Sequence, residues 1–413
     1  MSHPAWICCQ LGAREYYAIP RALHQARQLS LLLTDAWVPP NSLLTKLPGA
    51  SFKALQERYH PDLAQAPVPG FNNSLLQFEL TQRIRRTVGW ERMIARNNWF
   101  QTQTLRQLKQ IAPKFSKFGD RPILFTYSYA ALDLLRFAKQ QGWYTVLGQI
   151  DPGIAEEKIV LEEYTAHPDL APAWKPTPDG YWARWRQECD LADCILVNSS
   201  WSKQLLEEAG INANKVEIVP LVYDPPSAAS QFHRSYPKQF TTDRPLKALF
   251  LGLVTLRKGV AALLDTIKRL EGKPIEFWMV GSQQITIPVE LQNHPQVHWV
   301  EHVPRSQTHQ YYQQADVFLF PTLSDGFGLT QLEAQAWKLP IIASQSCGEV
   351  VVNGINGLRL NEITGEAIAT YLLDLLRYPD RLQQLSDQSI HPSQCSLNHL
   401  SNKLQSLAIK LSN

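Results

Sequence analysis

The sequence predicts an α/β protein built from two tandem doubly wound domains. Three observations favour this class. Short apolar runs alternate with helix-like stretches along most of the 413 residues, which is typical of parallel sheets covered by helices on both faces. The chain is also too long for one hydrophobic core of ordinary size. A polar, Pro-rich stretch without periodicity, residues 223–245, interrupts the alternation, which restarts after it.

Each half of the chain provides its own set of strands. In the first half, the predicted strands are WICC, LSLLLT, PILFTY, YTVLGQI, CILVNS and VEIVPL. In the second half they are LKALFLGL, IEFWMVG, VHWVEHV, DVFLFP and PIIAS. We therefore expect a first domain over residues 1–222, a linker over 223–245 and a second domain over 246–392. Residues 393–413 contain one further helical stretch, which can pack back on the first domain.

Composition excludes several classes of protein. Apolar residues make up 44% and charged residues 19% of the chain, as in globular rather than disordered proteins. The net charge of +3 is too small to imply nucleic acid as a partner, and no motif for base recognition accompanies it. The sequence shows neither a leader-like segment at residue 1 nor a run of 18 apolar residues. We expect a cytoplasmic protein.

The six cysteines favour buried thiols in a reducing compartment. Cys8 and Cys9 are adjacent on a predicted apolar strand. Cys189 and Cys194 are four residues apart, but neither a second pair nor a nearby histidine completes a zinc site. We therefore expect no metal and no cofactor.

The segment SDGFGLTQLEAQAWKLPIIAS, which begins at Ser324, has the pattern of a ligand-binding turn. Gly326 and Gly328 allow the backbone to adopt positive φ and to approach a ligand closely. The following helix is predicted to begin near Leu329. Because the first amides of a helix have no intrahelical partner, those of Leu329 and Thr330 form an anion site.

Two carboxylates flank this turn, and Phe327 lies inside it. Glu333 is one helical turn in, where it can accept hydrogen bonds from vicinal hydroxyls such as those of a ribose. Asp325 precedes the turn and can accept from hydroxyls on the far side of a phosphate. The alternative for each acid alone is a solvated side chain, with Asp325 capping the helix.

The whole segment resembles the signature of family 4 glycosyltransferases, which have the GT-B fold of two Rossmann-like domains facing a central cleft. The shared features are an acid, GFGL, EA, and a Pro that opens an IIAS-like strand. The acids have the acid-x7-Glu spacing of that family. Two positions depart from it: the first acid is Asp325 instead of Glu, and Lys338 replaces the usual Gly, so the helix must end differently. The resemblance extends from about Cys189 to Leu360.

FLGLVTLRKGVAALLD resembles the first strand and loop of the family's donor domain. Lys258 matches the lysine of that motif, whereas Leu253 stands where Arg usually follows the strand. Arg257 can supply the missing guanidinium. Fixed cations at this place stabilise the charge of a departing nucleoside diphosphate. The resemblance also implies that backbone near Val303 meets the base.

The resemblance implies an enzyme that moves a hexose from a nucleotide diphosphate sugar to a hydroxyl acceptor with retention of configuration. The first alternative is a catalytically silent GT-B binding or partner subunit, which is favoured by the absence of the family's usual histidine near Asp151. The second is a phosphorylase or an epimerase on the same architecture. Fold alone does not decide between them.

The first half offers two candidate site residues. Gly12 follows the first strand, where GT-B proteins place a glycine loop that faces the donor phosphates; a simple turn is the alternative. Asp151 ends an apolar strand and can accept a hydrogen bond from substrate at the reacting carbon. The alternative for Asp151 is an Asp-Pro-Gly turn. Glu156 and Glu157 are interpreted as a solvated helix start.

Residues 81–118 are unusually basic, with nine Lys or Arg and Glu91 as the only acid. Trp90, Trp99, Phe100 and Phe115 are interleaved with them. A basic helix with aromatic residues can lie on an anionic membrane surface, which would place the protein at the inner membrane face. Such a segment suits a lipid-linked acceptor and equally an anionic soluble one. The alternative is a solvated helical face with ordinary core aromatics.

Overall fold

The computed structural model describes residues 5–42, 58–118, 121–389 and 392–412, and the side chains of 116–118 are not among those described. The predicted limits at residues 1 and 413, and the side chain of Lys117 in the basic segment, lie outside this part of the chain. The described residues form two α/β units, each built on a six-stranded sheet.

The first sheet is parallel, with strand order β2-β1-β3-β4-β5-β6. Its strands are those that the apolar runs predict, and helices cover both faces, which is why the runs show no alternation of polar residues. The strands are β1 Trp6–Gln10, β2 Leu29–Thr34, β3 Ile123–Tyr127, β4 Tyr144–Gly148, β5 Cys194–Val197 and β6 Val216–Ile218. The helices are α1 Ala18–Gln25, α2 Asn72–Arg85, α3 Gly89–Phe118, α4 Leu132–Gln140, α5 Ile154–Ala166, α6 Tyr181–Leu191 and α7 Ser200–Glu208.

The second sheet is also parallel, with order β12-β11-β10-β7-β8-β9. Its strands are β7 Leu246–Leu251, β8 Ile275–Val280, β9 Val297–Val300, β10 Val317–Phe320, β11 Ile341–Ala343 and β12 Gly357–Arg359. The helices from the linker onward are α8 Ser227–Ser230, α9 Val260–Arg269, α10 Val289–Gln292, α11 Arg305–Gln314, α12 Leu329–Ala336, α13 Gly365–Arg377, α14 Asp380–Asp387 and α15 Leu397–Ser412. The α/β class and the two doubly wound sheets predicted from the sequence are confirmed.

Helix α15 lies on the first domain. Leu400, Leu404 and Leu407 are buried in the same apolar cluster as Trp6 and Phe125 of the first sheet. These leucines recur every three or four residues, so they share one face of the helix. The chain therefore returns to its first domain after completing the second.

The segment over residues 223–245 packs on the second domain. The guanidinium of Arg234 donates to the carbonyls of Tyr312 and Trp337, at 2.6 and 3.0 Å, and also to that of Ala315. Phe240 is buried in the core of that domain. These contacts hold the polar segment against the domain, whereas composition alone suggests a free connection.

The aromatic residues of the basic segment make contacts within the protein. Trp99 stacks on Phe78, with ring centroids 5.2 Å apart, and Phe100 is buried. Phe115 packs on Trp143, and the Trp90 indole donates to the carbonyl of Lys175 at 3.2 Å. These four rings are therefore ordinary packing residues, as the alternative interpretation of the basic segment states.

All six cysteines are buried and unpaired, so the interpretation as buried thiols is confirmed. Burial raises the pKa of each of these thiols, which keeps them protonated. Within the described ranges, no group of His, Cys, Asp or Glu has a metal-binding arrangement. No described helix has the length and apolar character needed to cross a bilayer.

Candidate active site

The carboxyl ends of β7 and β10 bring two loops together at the edge of the second sheet. These strands are neighbours, so the loops that follow them lie side by side. The amide of Leu323 donates to the carbonyl of Arg257 at 2.9 Å, and the Thr322 hydroxyl donates to the same oxygen at 3.3 Å. The loop after β7, which carries Lys258, is thus joined by hydrogen bonds to the loop after β10, which carries Asp325.

An ion pair between Lys258 and Asp325 connects the side chains of these two loops. Both side chains are mostly buried, with 16% and 17% of their surface exposed. Burial acts to raise the pKa of Asp325, but the charges of Lys258 and Arg257 outweigh it and lower that pKa. Asp325 is therefore ionised at neutral pH and offers acceptor oxygens at the cleft.

The glycines of the turn serve two different purposes. Gly328 precedes α12 with φ of 83°, a left-handed conformation that favours glycine. Gly326 does not have positive φ, so that part of the prediction is wrong. A Cβ at Gly326 would lie 2.6 Å from the carbonyl oxygen of Ile150, so glycine is needed there because the two domains meet at this point.

Side chains of the first domain support the same contact. The Ser199 hydroxyl donates to the Gly326 carbonyl at 2.7 Å, and the Trp201 indole donates to the hydroxyl of Ser324 at 3.1 Å. The turn is therefore held from both domains.

A cavity of about 660 Å³, which we call the cleft cavity, lies between the two domains beside this turn. Six predicted site residues line it: Lys258, Asp325, Phe327, Gly328, Leu329 and Thr330. Helix α12 begins at Leu329, as predicted. The unpaired amides at the start of this helix and the Lys258 ammonium are thus at the wall of one cavity, which suits an anionic ligand.

A second cavity of about 590 Å³, the adjacent cavity, contains Glu333. The Tyr312 hydroxyl donates to this carboxylate at 2.8 Å, and a guanidinium nitrogen of Arg305 lies 3.5 Å from it. Burial raises the pKa of Glu333, and the contacts with Tyr312 and Arg305 partly oppose that rise. Glu333 keeps acceptor capacity for hydroxyl groups of a ligand in this cavity.

Arg305 lines both cavities, and sequence analysis did not identify it. It begins helix α11, and its guanidinium lies over the ring of Tyr16 from the first domain. Burial lowers the pKa of Arg305 to about 10, so it stays charged at neutral pH. Its Nη1 is buried and has no hydrogen-bond partner among the described residues. A cation at a helix start, the signal used for Lys258, would have identified it.

Arg257 does not line the cleft cavity. Its guanidinium donates to the Ser324 carbonyl at 2.8 Å and lies 3.9 Å from the carboxylate of Glu156 in the first domain. Burial, opposed by the charge of Arg257, raises the pKa of Glu156 to about 7. The interpretation of Glu156 as solvated is wrong, because α5 carries it into the domain contact. Glu157 also has a partner within the protein, because its carboxylate accepts a hydrogen bond from the Thr177 amide at 2.7 Å.

Besides Arg257 and Gly326, three further predicted residues do not line either cavity. Asp151 accepts from the Tyr129 hydroxyl and from the Gly153 amide at 2.9 Å, which is the turn geometry of the alternative interpretation. Gly12 has φ of 81°, and its amide donates to Asp35 at 2.9 Å. Val303 packs in an apolar cluster of the second domain.

The residues after Gly12 do reach the cleft cavity, and their backbone is strained. Ala13, Arg14, Glu15 and Tyr16 line it. Glu15, Tyr16 and Tyr17 have φ of 52°, 52° and 58°. Left-handed backbone costs a non-glycine residue about 1–2 kcal/mol, and such strain clusters at functional sites. Sequence analysis missed this run because none of the three is a residue that favours positive φ.

Comparison with known proteins supports this description. The family model "Glycosyl transferases group 1" matches residues 245–378. The glycosyltransferase CapM of capsular polysaccharide biosynthesis from Staphylococcus aureus is 28% identical over 137 residues, 31% of this chain and 36% of CapM. A D-inositol 3-phosphate glycosyltransferase from Xylanimonas cellulosilytica is 25% identical over 259 residues, 53% of this chain and 60% of that protein.

The chain spans about half or less of the length of the first curated relatives it matches. Among solved structures, Anabaena Alr3699/HepE in complex with UDP-glucose has a TM-score of 0.62 at 12% identity, over 98% of this chain and 99% of that chain. At that identity, the likeness establishes the fold. The chain therefore has the GT-B fold, and residues 245–378 of its second domain match the group 1 glycosyltransferase model.

Proposed function

We propose that this protein is a glycosyltransferase that transfers a hexose from a nucleotide diphosphate sugar to a hydroxyl acceptor with retention of configuration. The observation that carries the proposal is the pair of cavities that share Arg305. One cavity has a carboxylate suited to a ribose, and the other has a cation, helix amides and a carboxylate suited to a diphosphate and a sugar. UDP-glucose, the ligand of the HepE complex, is of this class.

In this proposal the nucleoside occupies the adjacent cavity and the sugar occupies the cleft cavity. Glu333 accepts hydrogen bonds from the ribose hydroxyls, and Asp325 accepts from hydroxyls of the sugar. The diphosphate lies between them, near Arg305, Lys258 and the first amides of α12. Side-chain cations and backbone N–H groups balance its charge, so the proposal invokes no cofactor.

The transfer step breaks the bond between the anomeric carbon and the phosphate oxygen and forms one from that carbon to the acceptor oxygen. The acceptor approaches on the face that the diphosphate leaves, and its proton passes to the departing phosphate oxygen. Because negative charge develops on that oxygen, Lys258 and Arg305 stabilise the transition state more than the ground state. The meeting of the two domains at Gly326 excludes water and limits hydrolysis.

The proposed function is tested by thermal unfolding with UDP, GDP and ADP, each with and without a hexose, followed by assays of transfer and donor hydrolysis. A preferred diphosphate raises the melting temperature by mass action. We expect one diphosphate to be preferred and its sugar ester to be turned over. Binding without turnover would support the catalytically silent alternative, and absence of binding to all three would contradict the proposal.

A further inference from the structure

Three large aliphatic side chains are exposed within a short segment of the first domain. Leu80, Ile84 and Val88 are 61%, 81% and 76% exposed. Of the large apolar side chains described, four exceed 60% exposure, and these are three of them. Leu80 and Ile84 lie one turn apart on the same face of α2. Val88 follows in the connection to α3, within about 11 Å of chain from the end of α2.

Three arginines share this segment. Arg83, Arg85 and Arg86 are exposed, and none forms an ion pair with any residue that the structure describes. Glu79, the nearest acid on α2, is bound to Arg92 at 2.5 Å. We call Leu80, Arg83, Ile84, Arg85, Arg86 and Val88 the basic–apolar patch.

The patch continues into an open groove between the domains. This groove, of about 1110 Å³, is lined by Val88, Trp90, Met93 and Trp174, together with Ile285 of the second domain. Met93 is itself 39% exposed. The apolar surface is therefore larger than three isolated side chains, and contiguous apolar surface of this kind marks an interaction site.

Position on a helix does not account for the patch. Arg83 and Arg85 lie in the last turn of α2, where positive charge favours the helix dipole. That explanation covers the sign of the charges but not the exposed aliphatic side chains beside them. Nucleic acid would be bound through its phosphates by the arginines and gains nothing from aliphatic side chains. A surface with anionic groups above an apolar layer would bind both the arginines and the exposed aliphatic side chains.

We propose that the basic–apolar patch docks the first domain on an anionic lipid bilayer. The arginines lie among the headgroups, and Leu80, Ile84 and Val88 enter the boundary with the acyl chains. The six residues of the patch do not include the four aromatic rings of the basic segment, which make contacts within the protein; of these rings, Trp90 also lines the groove. Docking in this orientation brings the mouth of the groove to the membrane surface.

The test is co-sedimentation of the full chain with vesicles of phosphatidylcholine alone and of phosphatidylcholine mixed with phosphatidylglycerol. We expect binding to the anionic vesicles, little binding to the neutral ones, and weaker binding at high salt because the charges are exposed. Binding of equal strength to both vesicle types would overturn the role of the arginines. Absence of binding to either would overturn the proposal.

Two sets of substitutions separate the charged from the apolar contribution. The variants are Arg83→Gln, Arg85→Gln and Arg86→Gln combined, and Leu80→Ser, Ile84→Ser and Val88→Ser combined. Each set is expected to weaken vesicle binding by at least about tenfold. A matched control removes three exposed lysines elsewhere: Lys238→Gln, Lys273→Gln and Lys403→Gln. The control is expected to bind as wild type does, and the thermal shift with nucleotide is expected to persist in all three proteins.

Other occupants of the patch give different results. If the control loses as much vesicle binding as the arginine variant, net charge rather than the patch causes binding, and the proposal fails. If the serine variant keeps vesicle binding but abolishes a concentration-dependent dimer, the patch is an interface with a second copy of this chain. If wild type binds single-stranded RNA but neither type of vesicle, the arginines serve a nucleic acid.

Discussion

At the scale of single residues, two cations that are adjacent in the sequence have different positions at the cleft. Arg257 and Lys258 are neighbours in the chain, yet Lys258 lines the cleft cavity whereas Arg257 is turned to Glu156. Their 3₁₀ turn, Leu256–Lys258, sends consecutive side chains in different directions. Within the second domain, the other cation at the cavity is Arg305, which lies 47 positions later in the sequence.

Lys258→Ala is expected to lower kcat by about 10²–10³-fold, with a smaller change in donor affinity. The reason is that the lysine stabilises charge that develops on the departing diphosphate. Steady-state kinetics and donor titrations measure the two effects, and Lys258→Arg, which keeps the charge, is expected to recover part of kcat. Equal losses in kcat and in donor affinity would contradict a role for Lys258 that is specific to the departing diphosphate.

Arg305→Met is expected to weaken nucleoside diphosphate binding by about 10–100-fold, because a charge-assisted contact is lost. Arg257→Met is the matched control, since it removes the same charge outside the cavities. Isothermal titration with the preferred diphosphate measures both. A larger loss of diphosphate affinity in the Arg257 variant would show that Arg257, as the sequence predicts, contacts the diphosphate instead of Arg305.

Glu333→Ala is expected to abolish most of the thermal shift produced by the preferred diphosphate, because the ribose hydroxyls lose their acceptor. Glu362→Ala, which removes an exposed carboxylate of the same domain, controls for the change in charge. Comparison of ribose and deoxyribose diphosphates isolates the contact, since wild type should discriminate between them and the variant should not. A shift of wild-type size in Glu333→Ala would exclude the ribose role.

At the scale of elements, two strand ends and one helix start create the site. The loops after β7 and β10 are neighbours because their strands pair, and α12 directs its free amides at the cleft cavity. Gly326 and Gly328 permit this geometry for separate reasons, close approach of Ile150 in one case and positive φ in the other. Packing therefore requires glycine at position 326, and backbone conformation requires it at position 328.

Gly326→Ala is expected to lower kcat strongly while leaving diphosphate binding nearly unchanged. The added methyl group would press on the Ile150 carbonyl and hold the domains apart, but the residues proposed to bind diphosphate are all in the second domain. Gly272→Ala, in a turn where φ is 74° and an added Cβ meets nothing within 4 Å, strains the backbone away from the domain contact and so controls for a general loss of stability. Unchanged transfer in Gly326→Ala would show that this contact is not needed for catalysis.

At the scale of the whole molecule, the two domains are joined by polar and charged contacts at the cleft and by helix α15. The contact between Arg257 and Glu156 crosses the domains, as do those from Ser199 to Gly326 and from Trp201 to Ser324. These contacts position the strained residues after Gly12 opposite Lys258. The basic–apolar patch belongs to the first domain, so the proposed membrane docking leaves the second domain free to bind the proposed donor.

The raised pKa of Glu156 predicts a pH dependence of stability. The folded protein holds the proton up to about pH 7, whereas the unfolded chain releases it near pH 4.3. The protonated state thus favours folding, and the contribution is present at low pH and is lost as pH rises towards 7. The melting temperature is expected to fall over this window, and Glu156→Gln should reduce the slope. A variant with the wild-type slope would contradict this assignment.

The amino-acid sequence by itself determined the two parallel sheets, the start of α12 and six of the residues at the cleft cavity. These follow from local information: apolar runs, glycine positions and the spacing of charges along one loop. Only the tertiary structure decided which of Arg257 and Lys258 faces the cavity, that Arg305 joins the two cavities, and that Glu156 is buried. Those outcomes depend on how residues far apart in the chain pack against one another, and side-chain direction and burial arise from that packing.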